Sequence, residues 1–285
     1  MENEIFRAGN YTAKVVRCNT AIVGSGAAGF NAADRLWQLG QHDIVLVTEN
    51  RVGGTSRNTG SDKQTYYKLT LSGGDPDSVR EMADTLFAGR CVDGDIALCE
   101  AALSTQCFLK LVELGVPFPR NRYGEYIGYK TDHDPRRRAT SVGPYQWPFD
   151  VRKIADGSLI IDILVYQETC KGRRVYLDYR TNPVGGAFTY DALLPEAQEY
   201  LTCAGVCFGT PIDFYRDKGV DLYTQPLEIA LCAQHNNGGI GIDCWWQTDV
   251  KGLFAVGEAA ASHGVYRPGG TALNAGQMGS TRVPG

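Results

Sequence analysis

A short apolar run, Cys18 to Val23, leads directly into Gly24-Ser25-Gly26-Ala27-Ala28-Gly29. No other feature constrains the fold of this chain as strongly. Phe30 to Leu39 follows, with Ala32, Ala33, Leu36 and Leu39 on a helical period, and Gly40 stops the helix. Asp43 to Thr48 is a second β-rich run, and Glu49 comes immediately after it. A G-x-G-x-x-G turn between a strand and a helix predicts a dinucleotide seat. Gly24 makes the tight turn, Gly26 lets a pyrophosphate approach the main chain, and Gly29 lets the helix pack close on the strand. Through Ser25, Ala27 and Ala28 the turn offers N–H groups and the positive end of a helix dipole to phosphates. Glu49, 20 residues beyond Gly29, is placed to accept hydrogen bonds from ribose hydroxyls.

The fingerprint alone does not separate FAD from NAD. The next segment is Gly53-Gly54-Thr55-Ser56-Arg57-Asn58-Thr59-Gly60. A Gly-rich stretch at this place resembles the flavin-contacting loop of the fumarate reductase and succinate dehydrogenase flavoprotein family, which includes L-aspartate oxidase. The resemblance assigns Gly53, Gly54, Thr55 and Ser56 to the cofactor. Members with covalent flavin carry a His in this loop; this loop has none, which implies non-covalent FAD.

The second half of the resemblance lies near the C-terminus. Residues 250–261 read V-K-G-L-F-A-V-G-E-A-A-A, with a short apolar strand expected over Leu253 to Val256. This is similar to the second FAD motif of the family and gives Gly257 and Glu258 to the cofactor, Glu258 at the ribityl chain. The following stretch, Ser262 to Gln277, contains Tyr266-Arg267-Pro268-Gly269-Gly270-Thr271-Ala272-Leu273. In the family the matching stretch holds a substrate-binding Arg, then Gly-Gly, then a helix start facing the flavin pyrimidine. Arg267 takes the first role, and Gly270, Ala272 and Leu273 the last. A helix N-terminus there favours the negative charge of a reduced flavin. Residues 234–243, Q-H-N-N-G-G-I-G-I-D, resemble the His-x-x-x-Gly-Gly motif and give His235 to a substrate carboxylate. Arg suits the same anion through its planar fork. The Arg-Asp of the family's proton-donating stretch is not found at the expected place, and Tyr266 is the candidate replacement.

The resemblance implies an α/β fold: a Rossmann-like FAD-binding domain, a parallel sheet with helices, plus a reduced capping domain. Its boundaries are 1–144 for the first part of the FAD-binding domain, 145–239 for a remnant capping or substrate domain, and 240–285 for the second part. Asp75 to Phe118 fits two helices, the first starting at Pro76-Asp77. The second places Ile96, Leu98, Ala101, Leu103, Leu109, Leu111 and Leu114 as packing positions before Gly115. After Pro144 the family's β-meander and most of its cap are not found, so the 285 residues read as an internally shortened member with a narrower sheet. Such an edge invites a partner subunit.

Composition sets outer bounds. Charged residues make up 21% and the net charge is −4, which gives no footprint for nucleic acid. No apolar run approaches the roughly 20 residues of a membrane helix, and a cytoplasmic protein is expected. The nine cysteines form no C-x-x-C pair, so neither a metal nor an iron–sulfur relay is expected and electrons must come from a separate donor or acceptor. The leading function is hydride transfer between flavin N5 and a small carboxylate. The alternatives are a flavoprotein fragment without turnover and an NAD-dependent dehydrogenase, against which the G-E-A-A and R-P-G-G stretches count.

Overall fold

The computed structural model describes residues 2–51, 56, 65–72, 74, 76–131, 133–141, 157–178, 180, 216, 218–231 and 235–284. An antiparallel hairpin, β1 (Glu2–Ala8) and β2 (Tyr11–Arg17), comes first, closed by Arg17 on Glu4 at 2.9 Å. Next come β3 (Thr20–Val23), α1 (Ala27–Gln38) and β4 (Ile44–Val47). β3 and β4 pair in parallel, Thr20 opposite Ile44 and Val23 opposite Val47, which makes a β-α-β unit. Gly40, at φ +86°, ends α1 in the left-handed conformation that glycine adopts without strain.

β5 (Thr65–Tyr67) pairs antiparallel with β6 (Ala139–Ser141), and α2 (Val79–Phe87) and α3 (Gly94–Glu113) lie between them in sequence. Ser78, not Pro76 or Asp77, caps α2: its Oγ accepts from the Glu81 N–H at 3.1 Å. Asp93 caps α3 by accepting from the N–H groups of Asp95 and Ile96. The buried face of α3 is Ile96, Ala97, Glu100, Ala101, Ser104, Cys107 and Phe108. Leu98, Leu109 and Leu114, expected as packing positions, are exposed. Leu98 and Leu109 sit on the other side of the helix, because the buried stripe advances in steps of three and four residues from Ile96, and Leu114 is the C-cap, beyond the last helical residue.

A 3-10 turn (Gly257–Ala259) precedes the final helix α5 (Thr271–Arg282). The strand expected over Leu253 to Val256 is reduced to a single bridge between Phe254 and Gln247, and Leu253 and Phe254 are exposed. Among the described residues no named strand pairs with this run. α5 packs on α1 and on α3. Asn31 of α1 donates to Gln277 O (3.0 Å), Ser280 Oγ (2.7 Å) and Thr281 Oγ1 (3.1 Å), while its own oxygen accepts from Lys110 Nζ (2.8 Å). The core gathers Tyr66, Ile96, Phe108, Phe118, Trp246 and Met278, with the Phe108 and Phe118 ring centroids 4.6 Å apart. Beside it lies a buried charged cluster. Arg138 reaches Asp77 at 2.7 Å and Asp134 at 3.2 Å, and it also donates to the Tyr67 hydroxyl and Thr85 Oγ1.

Within the expected capping region, α4 (Gly157–Cys170) turns at Gly172 into β7 (Val175–Leu177), which pairs antiparallel with β8 (Leu227–Ile229). Arg173 and Arg174 are tied there to Glu168 and Glu228. No helix among the described residues is long and apolar enough to cross a membrane.

Candidate flavin and anion site

The fingerprint turn has the geometry its glycines predict. Gly24 leaves β3 at φ +102° and donates its N–H to Val47 O at 2.8 Å. A Cβ on Gly29 would stand 2.0 Å from Gly24 O, so α1 reaches the strand only because that Cβ is absent. Gly26 is the N-cap of α1; no side chain of its own caps the helix and no acidic residue occupies the first turn. Ser25 Oγ donates to Thr48 Oγ1 at 2.9 Å, which ties the turn to the end of β4. Ser56 Oγ accepts from the Ala27 N–H at 3.0 Å, the contact by which the Gly-rich loop meets the fingerprint. Gly53, Gly54 and Thr55 lie outside the described residues. Glu49 is exposed, just past the end of β4.

The C-terminal motif closes on this turn. Gly257, at φ +67°, sits so near Ala28 that a Cβ there would come within 2.9 Å of the Ala28 methyl. A Cβ on Gly276 of α5 would stand 3.5 Å from the same methyl, and Gln277 Nε2 donates to Ala27 O at 3.2 Å. Ala28 is therefore the point where the two distant halves touch. Gly270 caps α5 from the left-handed region at φ +92°, where a Cβ would collide with Thr65 and Tyr66. The helix begins at Thr271, one residue ahead of the expected Ala272–Leu273, and Ala272 and Leu273 form its half-buried first turn. No side chain caps it and its first turn holds no acid. The N-terminus of α1, with Ser56 Oγ on the Ala27 N–H, thus lies against the middle of α5, and the N-terminus of α5 has no side-chain cap; both helix ends suit negative charge. The bare main chain of the Gly24–Gly29 turn and the uncapped start of α5 fit the phosphates of a dinucleotide cofactor and an electron-rich ring edge.

The substrate-side residues converge through one amide. Asn237 Oδ1 lies 3.1 Å from His235 Nδ1 and 3.3 Å from Arg267 Nε, and Asn237 Nδ2 donates to Val265 O. Arg267 Nη1 also donates to Thr271 Oγ1 at 3.3 Å. Glu258 Oε1 accepts the Asn236 N–H at 2.9 Å, so the cofactor-side acid pins the loop that carries His235. That loop runs beside the G-E-A-A segment, with Ile240 bridged in parallel to Ala260. Asn236 to Ile240, Glu258 and Ala259 line a cleft of about 550 Å³. Tyr266 stands apart from the cluster. Its ring lies against His133 at 4.3 Å, and its main chain is held to Gly89.

Two residues join the site without having stood out in the sequence. His263 is buried, its ring 5.4 Å from that of His235. Burial, then the charges of Arg267 and His235, push its pKa down to about 3. Burial and Arg267 also lower His235, so both imidazoles are neutral at pH 7. Asn237 is the second, with no signal beyond its place inside the N-N-G-G stretch. Burial lowers Arg267 from its ordinary value, while Glu258 and Glu100 act the other way.

The FAD binding domain family matches residues 19–193 and 207–273. The chain belongs to that family. FAD is accordingly its cofactor, and the match spans both halves of the seat that Ala28 joins. This FAD binding domain protein is similar to one of the subunits of the CoM/CoB fumarate reductase of Methanothermobacter marburgensis, 47% identical over 60 residues, which are 21% of this chain and 11% of that one. It is similar to the L-aspartate oxidase of Rhodospirillum rubrum, 32% identical over 116 residues, 40% of this chain and 36% of the relative. The aligned segments thus cover a minor part of either relative. Among solved structures, E. coli quinol fumarate reductase FrdA superposes with a TM-score of 0.57 at 15% identity, over 94% of this chain and 70% of that one. Mycobacterium smegmatis Sdh1 gives 0.58 at 13% identity, over 94% and 67%. Both show a shared fold, and the motif-based resemblance is borne out.

Proposed function

We propose that the chain is an FAD-dependent oxidoreductase of the fumarate reductase and succinate dehydrogenase flavoprotein type that holds a small carboxylate substrate at Arg267 and His235. The observation that carries this reading is the joint hold of Asn237 Oδ1 on His235 Nδ1 and Arg267 Nε beside the N-terminus of α5. When bound, the flavin supplies a two-electron carrier for hydride transfer at N5 to or from a carbon–carbon bond of the substrate. Arg267 binds the carboxylate, since its guanidinium is engaged by neutral partners and makes no ion pair among the described residues. Facing an amide oxygen, His235 donates through Nδ1; the neutral ring then offers Nε2 as an acceptor to a ligand hydroxyl or a bridging water, while Arg267 takes the carboxylate. His263 packs behind it as a neutral ring and keeps water from that side. The cofactor is held without a covalent bond. Electrons pass through a separate carrier, and Val23 and Val47, exposed at the end of the parallel pair, offer apolar surface to a partner protein.

Reduction of the FAD-loaded protein, followed by addition of fumarate, tests this. The absorbance near about 450 nm of an oxidised flavin should bleach and then return. Arg267→Ala should stay yellow and lose reoxidation by at least roughly 100-fold, as expected when a charge-assisted contact worth about 3 kcal/mol goes. Undiminished reoxidation in that variant contradicts the assignment.

A further inference from the structure

Glu100 lies in the middle of α3, 1% exposed, and neither carboxylate oxygen has a hydrogen-bond partner among the described residues. Burying an unpaired carboxylate costs several kcal/mol, so such a group is kept only in its neutral form or for a reason outside packing. Its surroundings supply the reason. The Glu100 carbonyl accepts from Asn274 Nδ2 at 3.2 Å, and Asn274 sits in the first turn of α5. Arg267 is fastened to that same turn through Thr271 Oγ1. The main chain at Glu100 and the Arg267 guanidinium are thus tied to one turn of helix, and yet no ion pair joins the carboxyl to the guanidinium.

We propose that Glu100 is a positioning residue for the anion site: its carboxyl carries a proton that is linked to occupancy of Arg267 by a carboxylate ligand. This rests on the reading of Arg267 as the anion anchor. With Glu100 neutral, the guanidinium shows its whole charge to the ligand. With Glu100 ionised, a second negative charge competes for the same cation. Anion binding therefore holds the proton on Glu100, and loss of that proton weakens anion binding by the same factor.

The groups facing Glu100 agree. Burial raises it well above the ordinary carboxyl range, and Arg267 is the cation that opposes this. From β5 the Tyr66 hydroxyl faces the same space and donates to Asn274 Oδ1 at 3.0 Å. Burial raises that phenol, with Cys107 and Glu100 adding to the effect, so it stays neutral. Cys99 on the same helix is raised by burial and acts as a neutral thiol.

The test is calorimetric titration of the FAD-loaded protein with succinate across pH, in buffers of different ionisation enthalpy. Affinity should fall as the pH rises, by roughly 5- to 150-fold between the two protonation states, with proton uptake on binding at the upper end. In Glu100→Gln, neutral at every pH, succinate should bind with the low-pH affinity throughout and without that uptake. The same pH dependence in Glu100→Gln as in the parent protein overturns the proposal while leaving the anion site standing. Infrared difference spectra between the parent and Glu100→Gln read the carboxyl itself. Its titration should move to higher pH in Arg267→Gln. If succinate fails to bind at any pH, the anion-site reading falls, and this infrared shift still decides the Glu100–Arg267 coupling: a band unmoved by Arg267→Gln overturns it.

Discussion

Single atoms decide whether the cofactor seat closes. Gly29→Ala puts a methyl 2.0 Å from Gly24 O, a main-chain atom that cannot swing away as a side chain can. We expect a loss of at least about 1–3 kcal/mol and protein purified with little flavin; a normal flavin ratio with an unchanged urea midpoint would refute the close packing. His263 yields a pH signature. Its folded-state pKa of about 3 lies below the ordinary 6.5, so on acidification the unfolded chain takes the proton first. The stability it contributes is whole above pH 6.5 and drains away as the pH falls toward 3, on the order of a few kcal/mol in all. Urea unfolding at pH 7 and at about pH 4.5 should show His263→Gln losing less stability between the two than the parent does, and equal losses would rule the effect out. Gly24, Gly26 and Gly29 were legible in the sequence because their spacing is itself the mechanism. Glu100 was not, because a carboxyl on a helix among apolar neighbours reads as solvated until its face is known.

Between elements, the decisive contact is α1 on α5. Asn31 holds it with three donor contacts to the far helix. Asn31→Ala takes a donor from the Gln277 carbonyl and an acceptor from the Lys110 ammonium together, at roughly 1–3 kcal/mol. Because the same contact holds the fingerprint helix against the C-terminal motif, flavin affinity should fall along with the melting temperature. A variant that loses stability but holds FAD as tightly as before would show that the seat does not depend on this contact. The sequence located the start of α5 to within a residue, since Gly270 marks it, whereas α1 begins at Ala27, three residues ahead of the expected Phe30. It missed Asn31, whose partners lie some 250 positions away. It also overcounted α3, where Leu98 and Leu109 matched an apolar pattern wider than the stripe that packs and Leu114 lies at the C-cap. The strand at Leu253 to Val256 failed for a related reason: apolar content marks β propensity, but pairing needs a neighbouring strand.

At the scale of the whole molecule, the cluster around Arg138 joins β5, β6, α2 and the turn at Asp134 without any exposed atom on the guanidinium side chain. Arg138→Met removes the cation and leaves two buried acids facing each other. We expect about 3–5 kcal/mol of lost stability, read as a drop in the urea midpoint; a change below about 1 kcal/mol would mean the pair behaves like a surface one. A consequence for biosynthesis follows from Ala28. Its neighbours Gly257 and Gly276 are made more than two hundred residues later. On the proposed reading, a growing polypeptide still threaded through the ribosome has the glycine turn without its C-terminal counterpart, and the vitamin-derived prosthetic group is loaded only after translation has delivered Gly257 and Gly276.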